Sequence, residues 1–404
     1  MFVTHLESAL DGTRFPGNTL QTTHRHKPLW VRYDTKTISK SISKEALARR
    51  ASGLWRYGEF LPVPKVTEIV SLGEITTPLV RVDKLARHFE GQNLFIKDES
   101  RLPTGSFKSR GMALAITMAR HFGIKRVAIP TAGNAGSAAA AYASAAGMES
   151  FVFMPDDTPK VNQFEAALYG AKAYLVNGLI TECGRIVREG KEKLGWFDLS
   201  TLREPYRIEG KKTMGLELAE QMDWKLPDVI LYPTGGGTGL IGMWKAFKEL
   251  NEMGWLESAT MPRMVAVQSD GCCPIVKAFE TGTRFAEPFP NAMTVASGLR
   301  VPSALGDFMI LDAIKESNGT AVAVSENRII EWMKFATQMT GLSICPETAA
   351  CVGAFEKLVK DNWIKRSDTV VIFNTASGLK YLDKTEMVLP RINIQEPINW
   401  NAFN

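Results

Sequence analysis

Short apolar runs alternate with segments of helical periodicity along most of this chain, from about residue 92 onward. The runs are rich in β-branched residues, as strands are. They read NLFIKDE, RVAIP, SFVFMP, KAYLV, DVILYP, RMVAVQ, TAVAV and DTVVIF. Glycines close many of the helical segments, where a left-handed residue is needed. Strands that alternate with helices imply crossover connections, so we predict an α/β fold of mostly parallel, twisted sheets flanked by helices.

The length of the chain and a change of pattern near residue 75 predict its organisation. A chain of 404 residues exceeds what one hydrophobic core usually organises, so we predict two domains. A large domain is expected over residues 76–102 and 205–390, and a smaller one over 103–204. Residues 1–75 are more polar and are predicted to form an N-terminal extension that packs on the main body, and 391–404 form a C-terminal tail.

Charge and cysteine content exclude several classes of function. Lys and Arg number 48 against 43 Asp and Glu, without a basic block, which argues against nucleic-acid binding. No apolar run reaches the roughly 18 residues of a membrane span, and the N-terminus has no signal-peptide pattern. We therefore expect a cytoplasmic protein. The five cysteines have no zinc spacing, so we expect neither disulfides nor a metal site; they are Cys183, Cys272, Cys273, Cys345 and Cys351.

The segment PTGSFKSRG places Lys108 at the predicted start of a helix. The positive field of the helix amides favours the neutral amine over the ammonium, which suits a nucleophile or an imine-forming lysine. Thr104, Gly105 and Ser106 leave backbone room and hydroxyl donors beside the amine. An ordinary exposed cation is the alternative interpretation.

A second candidate is PTAGNAGSAAAAYA, in which a strand ends at Pro130 and a turn leads into an alanine-rich helix. Several free amides of residues 131–136 would face one point, as in sites that hold a carboxylate or phosphate. Asn134 projects from this turn as a ligand contact or serves as a helix cap, and the sequence leaves both possibilities open.

A third candidate is TGGGTG, where Gly235, Gly236, Gly237, Thr238 and Gly239 follow an apolar strand. Because glycine has no Cβ, a phosphate can approach the amides of such a loop. Gly237, Gly239 and Gly242 also fit the G-x-G-x-x-G pattern of nicotinamide-dinucleotide sites. However, Asp270 lies 28 residues after Gly242 (270 − 242), beyond the usual spacing of about 20, and no histidine follows His121.

The strand VVIF ends in the small polar residues NTASG, at the edge where parallel sheets place their ligands. Thr375 could hydrogen-bond a ring nitrogen there, although a turn residue is the simpler interpretation.

Taken together, these motifs resemble those of the threonine synthases, which are pyridoxal-phosphate enzymes of fold type II, the tryptophan synthase β-subunit fold. PTGSFKSRG resembles the family's Pro-Thr-Gly-Ser-Phe-Lys-Asp-Arg-Gly, and YRIEGKKTMGLELAEQ resembles its Arg-x-Glu-Gly-x-Lys-Thr helix. VAVQSDGCCPIVKAFETG is similar to its Val-Gln-x-x-Gly-x-x-Pro segment, and NTASGLKY stands where the family has Thr-Gly-His-Gly-Leu-Lys-Asp. The motifs occur in the family's order over most of the chain.

The resemblance implies a role for each matching residue. Lys108 would bind pyridoxal 5'-phosphate as the internal aldimine and, once released by substrate, would remove the Cα proton. Asn134 would contact the ring oxygen, residues 235–239 the phosphate, and Thr375 the pyridine nitrogen. A small amino acid would be the substrate of a homodimer, and the resemblance assigns substrate contacts to five residues: Ser106, Thr131, Ala132, Gly133 and Arg207.

Departures from the family pattern leave the substrate open. Thr201 and Leu202 replace an Asn-Ser pair that binds the phosphate of phosphohomoserine, Ala132 replaces a hydroxyl residue, and Ser109 replaces an aspartate. The TGGGTG loop is closer to those of serine and threonine dehydratases. O-phosphohomoserine conversion to threonine is the leading prediction, with a dehydratase, ammonia-lyase or β-replacement enzyme as the alternative. An NAD-dependent dehydrogenase and an inactive ligand-binding homologue are more remote alternatives.

Overall fold

The computed structural model describes residues 2–63, 66–89, 93–385, 389–398 and 400. The strands are β1 (Val3–Ser8), β2 (Arg14–Pro16), β3 (Leu29–Tyr33), β4 (Leu79–Arg81), β5 (Asn93–Asp98), β6 (Arg126–Pro130), β7 (Glu149–Pro155), β8 (Lys172–Val176), β9 (Phe197–Asp198), β10 (Val229–Pro233), β11 (Arg263–Ser269), β12 (Thr320–Val324) and β13 (Thr369–Asn374). The α-helices are α1 (Thr35–Ser41), α2 (Lys44–Ala48), α3 (Asp83–His88), α4 (Lys108–His121), α5 (Asn134–Ala145), α6 (Lys160–Leu168), α7 (Ile180–Leu194), α8 (Tyr206–Gln221), α9 (Thr238–Glu252), α10 (Pro274–Glu280), α11 (Asp307–Glu316), α12 (Ile329–Thr340) and α13 (Pro346–Lys360).

Two mainly parallel sheets organise the fold. The larger has the order β12-β11-β10-β13-β5-β4, and it is parallel except for the antiparallel pair β4 and β5. The smaller has the order β8-β7-β6-β9 and is parallel throughout. Both follow from β-branched, nearly continuous apolar strands that helices cover. The predicted α/β class is confirmed, whereas the predicted domain boundaries stay a prediction.

The N-terminal segments form the antiparallel sheet β2-β1-β3 and contact helix α8 through buried hydrogen bonds. The hydroxyl of Tyr33 donates to Glu209 at 2.8 Å, and that of Tyr57 donates to Glu220 at 2.6 Å. Both acceptors belong to α8, so the first sixty residues lie against the helix that also packs on α4.

Helices α4 and α8 cross at very short range because glycines meet at the crossing. A Cβ on Gly210 would overlap the carbonyl oxygen of Arg110, so a side chain there would force the helices apart. Next to this crossing, the fully buried Arg110 donates to Glu99 at 2.6 Å and to Glu217 at 3.0 Å. A buried ionic cluster therefore lies directly beneath the first turn of α4.

The five cysteines are free and buried. In the part of the chain that the structure describes, no helix is both long and apolar enough to cross a membrane.

Candidate active site

The loops that follow β6, β10 and β13 meet the start of α4 around one cavity of about 330 Å³. Carboxyl ends of parallel strands are where such folds place ligands. The cavity wall includes every residue that the sequence assigned to the cofactor: Lys108, Asn134, Gly235, Gly236, Gly237, Thr238, Gly239 and Thr375. Motifs far apart in the sequence therefore meet around a single space.

Lys108 is the first residue of α4, as predicted, and its amine borders the cavity. Its Nζ lies 4.4 Å from the centre of the Phe107 ring. Burial lowers the pKa of Lys108 to about 8, and the positive charge of Arg207 adds to this effect, while Glu347 opposes it. A substantial share of the amine is therefore neutral and nucleophilic near physiological pH.

A second lysine, Lys211 on α8, also lies close to the same aromatic ring. Its Nζ donates to the carbonyl oxygen of Phe107 and lies 4.1 Å from the ring centre. Burial holds the pKa of Lys211 well below its usual range, and the charges of Lys108 and Arg207 push it in the same direction. Two lysines with lowered pKa values thus lie close to the Phe107 ring. Sequence reasoning missed Lys211, which lies in the segment RIEGKKT.

The glycine loop after β10 has no space for side chains. A Cβ on Gly235 would overlap the carbonyl oxygen of Gly298, and one on Gly239 would overlap the hydroxyl of Tyr232. Gly237 has a φ of +71°, which favours glycine. The loop leads into α9, whose first residue is Thr238, so free amides at a helix N-terminus border the cavity. This is a cradle suited to a phosphate.

Asn134 is the first residue of α5 and makes no capping hydrogen bond. Its side-chain amide instead donates to the Tyr381 hydroxyl at 3.0 Å, and its carbonyl accepts from Asn162 at 2.9 Å. Tyr381 in turn donates to Glu347 at 2.9 Å. Asn134 therefore does not cap the helix, and its contact with a ligand stays a prediction.

Glu347 is a functional candidate that sequence reasoning missed. It is 5% exposed and lines the cavity. One of its oxygens accepts from the Gly298 amide at 2.8 Å and from Tyr381, whereas the other has no partner among the described residues. The segment CPETAA contained an acidic residue at a helix start, but only the fold brings it to the cavity.

Thr375 follows β13 and also borders the cavity. Its amide donates to the Thr348 hydroxyl at 3.1 Å, and its own hydroxyl lies 3.6 Å from the Cys345 sulfur. Burial raises the pKa of Cys345 to about 12, so this thiol stays protonated. The hydroxyl of Thr375 therefore lies next to a neutral thiol.

Comparison with known proteins shows which family has this arrangement. The sequence profile of the family described as "Pyridoxal-phosphate dependent enzyme" matches residues 70–376. The chain belongs to this family. It is 34% identical to the threonine synthase of Methanocaldococcus jannaschii, over 87% of this chain and 86% of that protein. It is 35% identical to the threonine synthase of Methanosarcina acetivorans, over 87% of this chain and 85% of that protein.

Superposition on solved structures agrees with the predicted fold type II. Maize serine racemase superposes with a TM-score of 0.65 at 22% identity, over 75% of this chain and 88% of that one. Threonine deaminase isoform 2 from Solanum lycopersicum also gives 0.65, at 21% identity, over 81% of this chain and 86% of that one. At these identities the similarity shows the fold alone, and it confirms the predicted fold type.

The residues of this pyridoxal-phosphate enzyme fit its cofactor. The glycine cradle excludes Cβ atoms where a phosphate needs backbone amides, and the partly neutral amine of Lys108 suits an aldehyde. The dinucleotide alternative has no comparable support. Gly242 packs against Lys211 of α8, and the carboxylate of Asp270 accepts from the Glu326 amide at 2.9 Å.

The predicted substrate residues divide into two groups. Thr131, Ala132 and Gly133 line the cavity. Ser106 and Arg207 are buried and are not among its lining residues. Arg207 donates to the Leu199 carbonyl at 2.6 Å and influences the site through its charge on Lys108.

The positions that depart from the threonine synthase pattern also lie in different surroundings. Thr201 borders the cavity, whereas Leu202 is 1% exposed and packs in the core with a φ of 63°. Ser109 lies within hydrogen-bond distance of Thr104, at 3.2 Å, and also donates to the carbonyl of Pro103. Ser109 therefore holds the loop in front of Lys108 without entering the cavity.

Proposed function

We propose that this enzyme converts O-phosphohomoserine to threonine, with uptake of water and release of inorganic phosphate. The observation that carries the proposal is the partly neutral Lys108 amine facing the glycine cradle in one cavity. Two archaeal threonine synthases that match most of the chain support the choice of reaction.

Each predicted cofactor residue has a role in this proposal. Lys108 would hold the cofactor, and its amine would take the Cα proton of the substrate. The amides of residues 235–239 bind the cofactor phosphate, and Asn134 donates to the ring oxygen. The bound cofactor supplies an electron sink for the carbanion. Because Thr375 is a neutral hydroxyl, it leaves the ring nitrogen unprotonated, which favours elimination over transamination.

The amino-acid end of the substrate is assigned to the turn after β6. The amide of Thr131 donates to the Phe153 carbonyl at 2.9 Å and that of Gly133 donates to the Thr131 hydroxyl at 3.1 Å. The amides of Ala132 and Asn134, at the opening of α5, therefore suit the α-carboxylate. Ser106 and Arg207 would support this region from behind the cavity wall, because neither lines it.

A dehydratase or ammonia-lyase acting on serine or threonine is the second candidate. It is favoured by the loss of polar side chains at Ala132 and Leu202, which cannot donate to a phosphate ester. Such an enzyme would use the same lysine and the same glycine cradle, so only the leaving group separates the two candidates.

The deciding experiment compares leaving groups. Purified holoenzyme is expected to release phosphate from O-phosphohomoserine and to form threonine. Lys108→Ala should lose the visible absorption of the attached cofactor and about 10³-fold or more in turnover. An exposed lysine variant, Lys84→Ala, serves as the control and should retain both. Ammonia and a 2-oxo acid from serine or threonine, without phosphate release, would instead favour the second candidate.

We also propose that the enzyme is a cytoplasmic homodimer and that its domains have the boundaries predicted from the sequence. Exposed apolar side chains on α6 and β8 support association of two copies: Phe164 is 64% exposed, Leu168 83% and Leu175 53%. Size-exclusion chromatography with light scattering would test the dimer, because a monomeric mass would contradict it.

A further inference from the structure

Three arginines line the same cavity as Lys108, but only one of them is neutralised. Arg300 donates to both oxygens of Asp157 at 2.6 Å. Arg188 and Arg203 have no carboxylate within ion-pair distance in the part of the chain that the structure describes. Two cations therefore border the cavity without a counter-ion.

Arg188 faces the cavity because of its position on α7. One turn earlier, Arg185 points away and pairs with Glu189 at 2.8 Å. Gly184 lines the cavity, and the Arg188 guanidinium lies 3.4 Å from where a Cβ on Gly184 would stand. The guanidinium thus lies over a bare turn of the helix, on the side that borders the cavity.

Arg203 reaches the same space from the segment between β9 and α8. Asp198, whose charge acts on Arg203, accepts from the Ser200 amide at 2.8 Å and from the Ser200 hydroxyl. Burial lowers the pKa of Arg203, Asp198 opposes this, and the charge of Arg188 lowers it further. Two like charges held together without a counter-ion are costly, which favours an anionic ligand between them.

We propose that Arg188 and Arg203 bind the terminal phosphate group of the substrate. This inference rests on the proposed function and names the residues that select its substrate class, amino acids with a distal phosphate or phosphonate. Guanidinium groups match phosphate oxygens with two parallel hydrogen bonds, and two cations balance a dianion. The pair would supply the donors that Ala132 and Leu202 do not.

Steady-state phosphate release from O-phosphohomoserine tests the subsite with three variants. Arg188→Gln and Arg203→Gln should each raise KM about 10-fold or more, with kcat changed about 2-fold or less, because the arginines bind a group remote from the Cα proton. Arg185→Gln on the same helix is the matched control and should leave both constants unchanged. Arg188 is exposed, so its variant should fold normally. Unchanged KM in both cavity variants, with full turnover, would overturn the subsite but leave the proposed function standing.

Direct binding separates the two proposals if the wild type releases no phosphate. Calorimetry on holoenzyme would use a phosphonate analogue of O-phosphohomoserine, in which a methylene replaces the ester oxygen. Binding to the wild type that weakens 10-fold or more in Arg188→Gln supports the subsite, and equal binding to both proteins contradicts it. A succinyl ester of homoserine that binds more tightly than the phosphonate would also overturn the assignment, since it points to a carboxylate-bearing substrate.

Discussion

The backbone amide of Phe107 donates a 2.9 Å hydrogen bond to the carbonyl oxygen of Thr375. Two residues away, the amide of Ser377 donates to the carbonyl of Gly105 at 2.9 Å. The loop in front of Lys108 is therefore joined to the end of β13 by its backbone. As a result, Lys108 and Thr375, the two residues proposed to contact opposite parts of the cofactor, belong to backbone segments that are held together.

The glycine cradle should not tolerate a methyl group. Gly235→Ala places a Cβ against the carbonyl oxygen of Gly298, and backbone cannot move aside as a flexible side chain would. We expect roughly 10- to 100-fold weaker cofactor affinity, in line with about 1–3 kcal/mol for overpacking. Titration of apoenzyme with pyridoxal phosphate measures this. Gly58→Ala, which has open space around it, is the control. Equal affinity in both variants would contradict the cradle.

Cofactor capture should depend on the ionisation of Lys108. Its pKa of about 8 lies below the ordinary value of 10.5, so the neutral amine becomes dominant above about pH 8. Only the neutral amine attacks an aldehyde. The rate at which apoenzyme takes up the cofactor should therefore rise with pH and level off above about 8. Stopped-flow absorption measures it, and a midpoint near the ordinary lysine value would count against the lowered pKa.

Glu347 should tune that midpoint. Its carboxylate favours the charged form of Lys108, so Glu347→Gln should lower the pKa of Lys108 and move the capture midpoint to lower pH, by roughly one unit or less. Glu347→Asp keeps the charge and should move it less. The same stopped-flow series measures both variants. A midpoint that moves to higher pH in the glutamine variant would show that the two groups are not coupled as described.

The buried ionic cluster under α4 should be far more sensitive than surface ion pairs. Arg110→Ala leaves Glu99 buried without a cation and leaves Glu217 with Lys97 alone, which should cost about 3–5 kcal/mol of unfolding free energy. Lys357→Ala is the control, because Lys357 is 56% exposed and pairs with the exposed Asp361 at 2.8 Å, so its loss should cost about 1 kcal/mol or less. Denaturant titration of apoenzyme measures both. Similar losses in the two variants would contradict the role of the cluster.

Local pattern was sufficient to predict the fold class and the cofactor loops. Strand and helix periodicity predicted the α/β order, and the glycine and lysine motifs lay where strands end and helices begin. Glu347, Tyr381 and Lys211 have no such local signature. Glu347 on α13 and Tyr381 after β13 line the cavity, and Lys211 on α8 contacts Phe107 beside it, so only the packing of these elements could reveal them.

The sequence by itself determined the fold class and the cofactor and predicted the lysine proposed to bind it, because these depend on residues close together along the chain. The tertiary structure decided which charges border the cavity. Along the chain, Arg188 precedes β9 and Arg203 follows it. Whether either guanidinium pairs with a carboxylate depends on the packing of elements that are distant in the sequence. Electrostatic pairing acts through space over a few ångströms, so the position of a residue along the chain cannot disclose it.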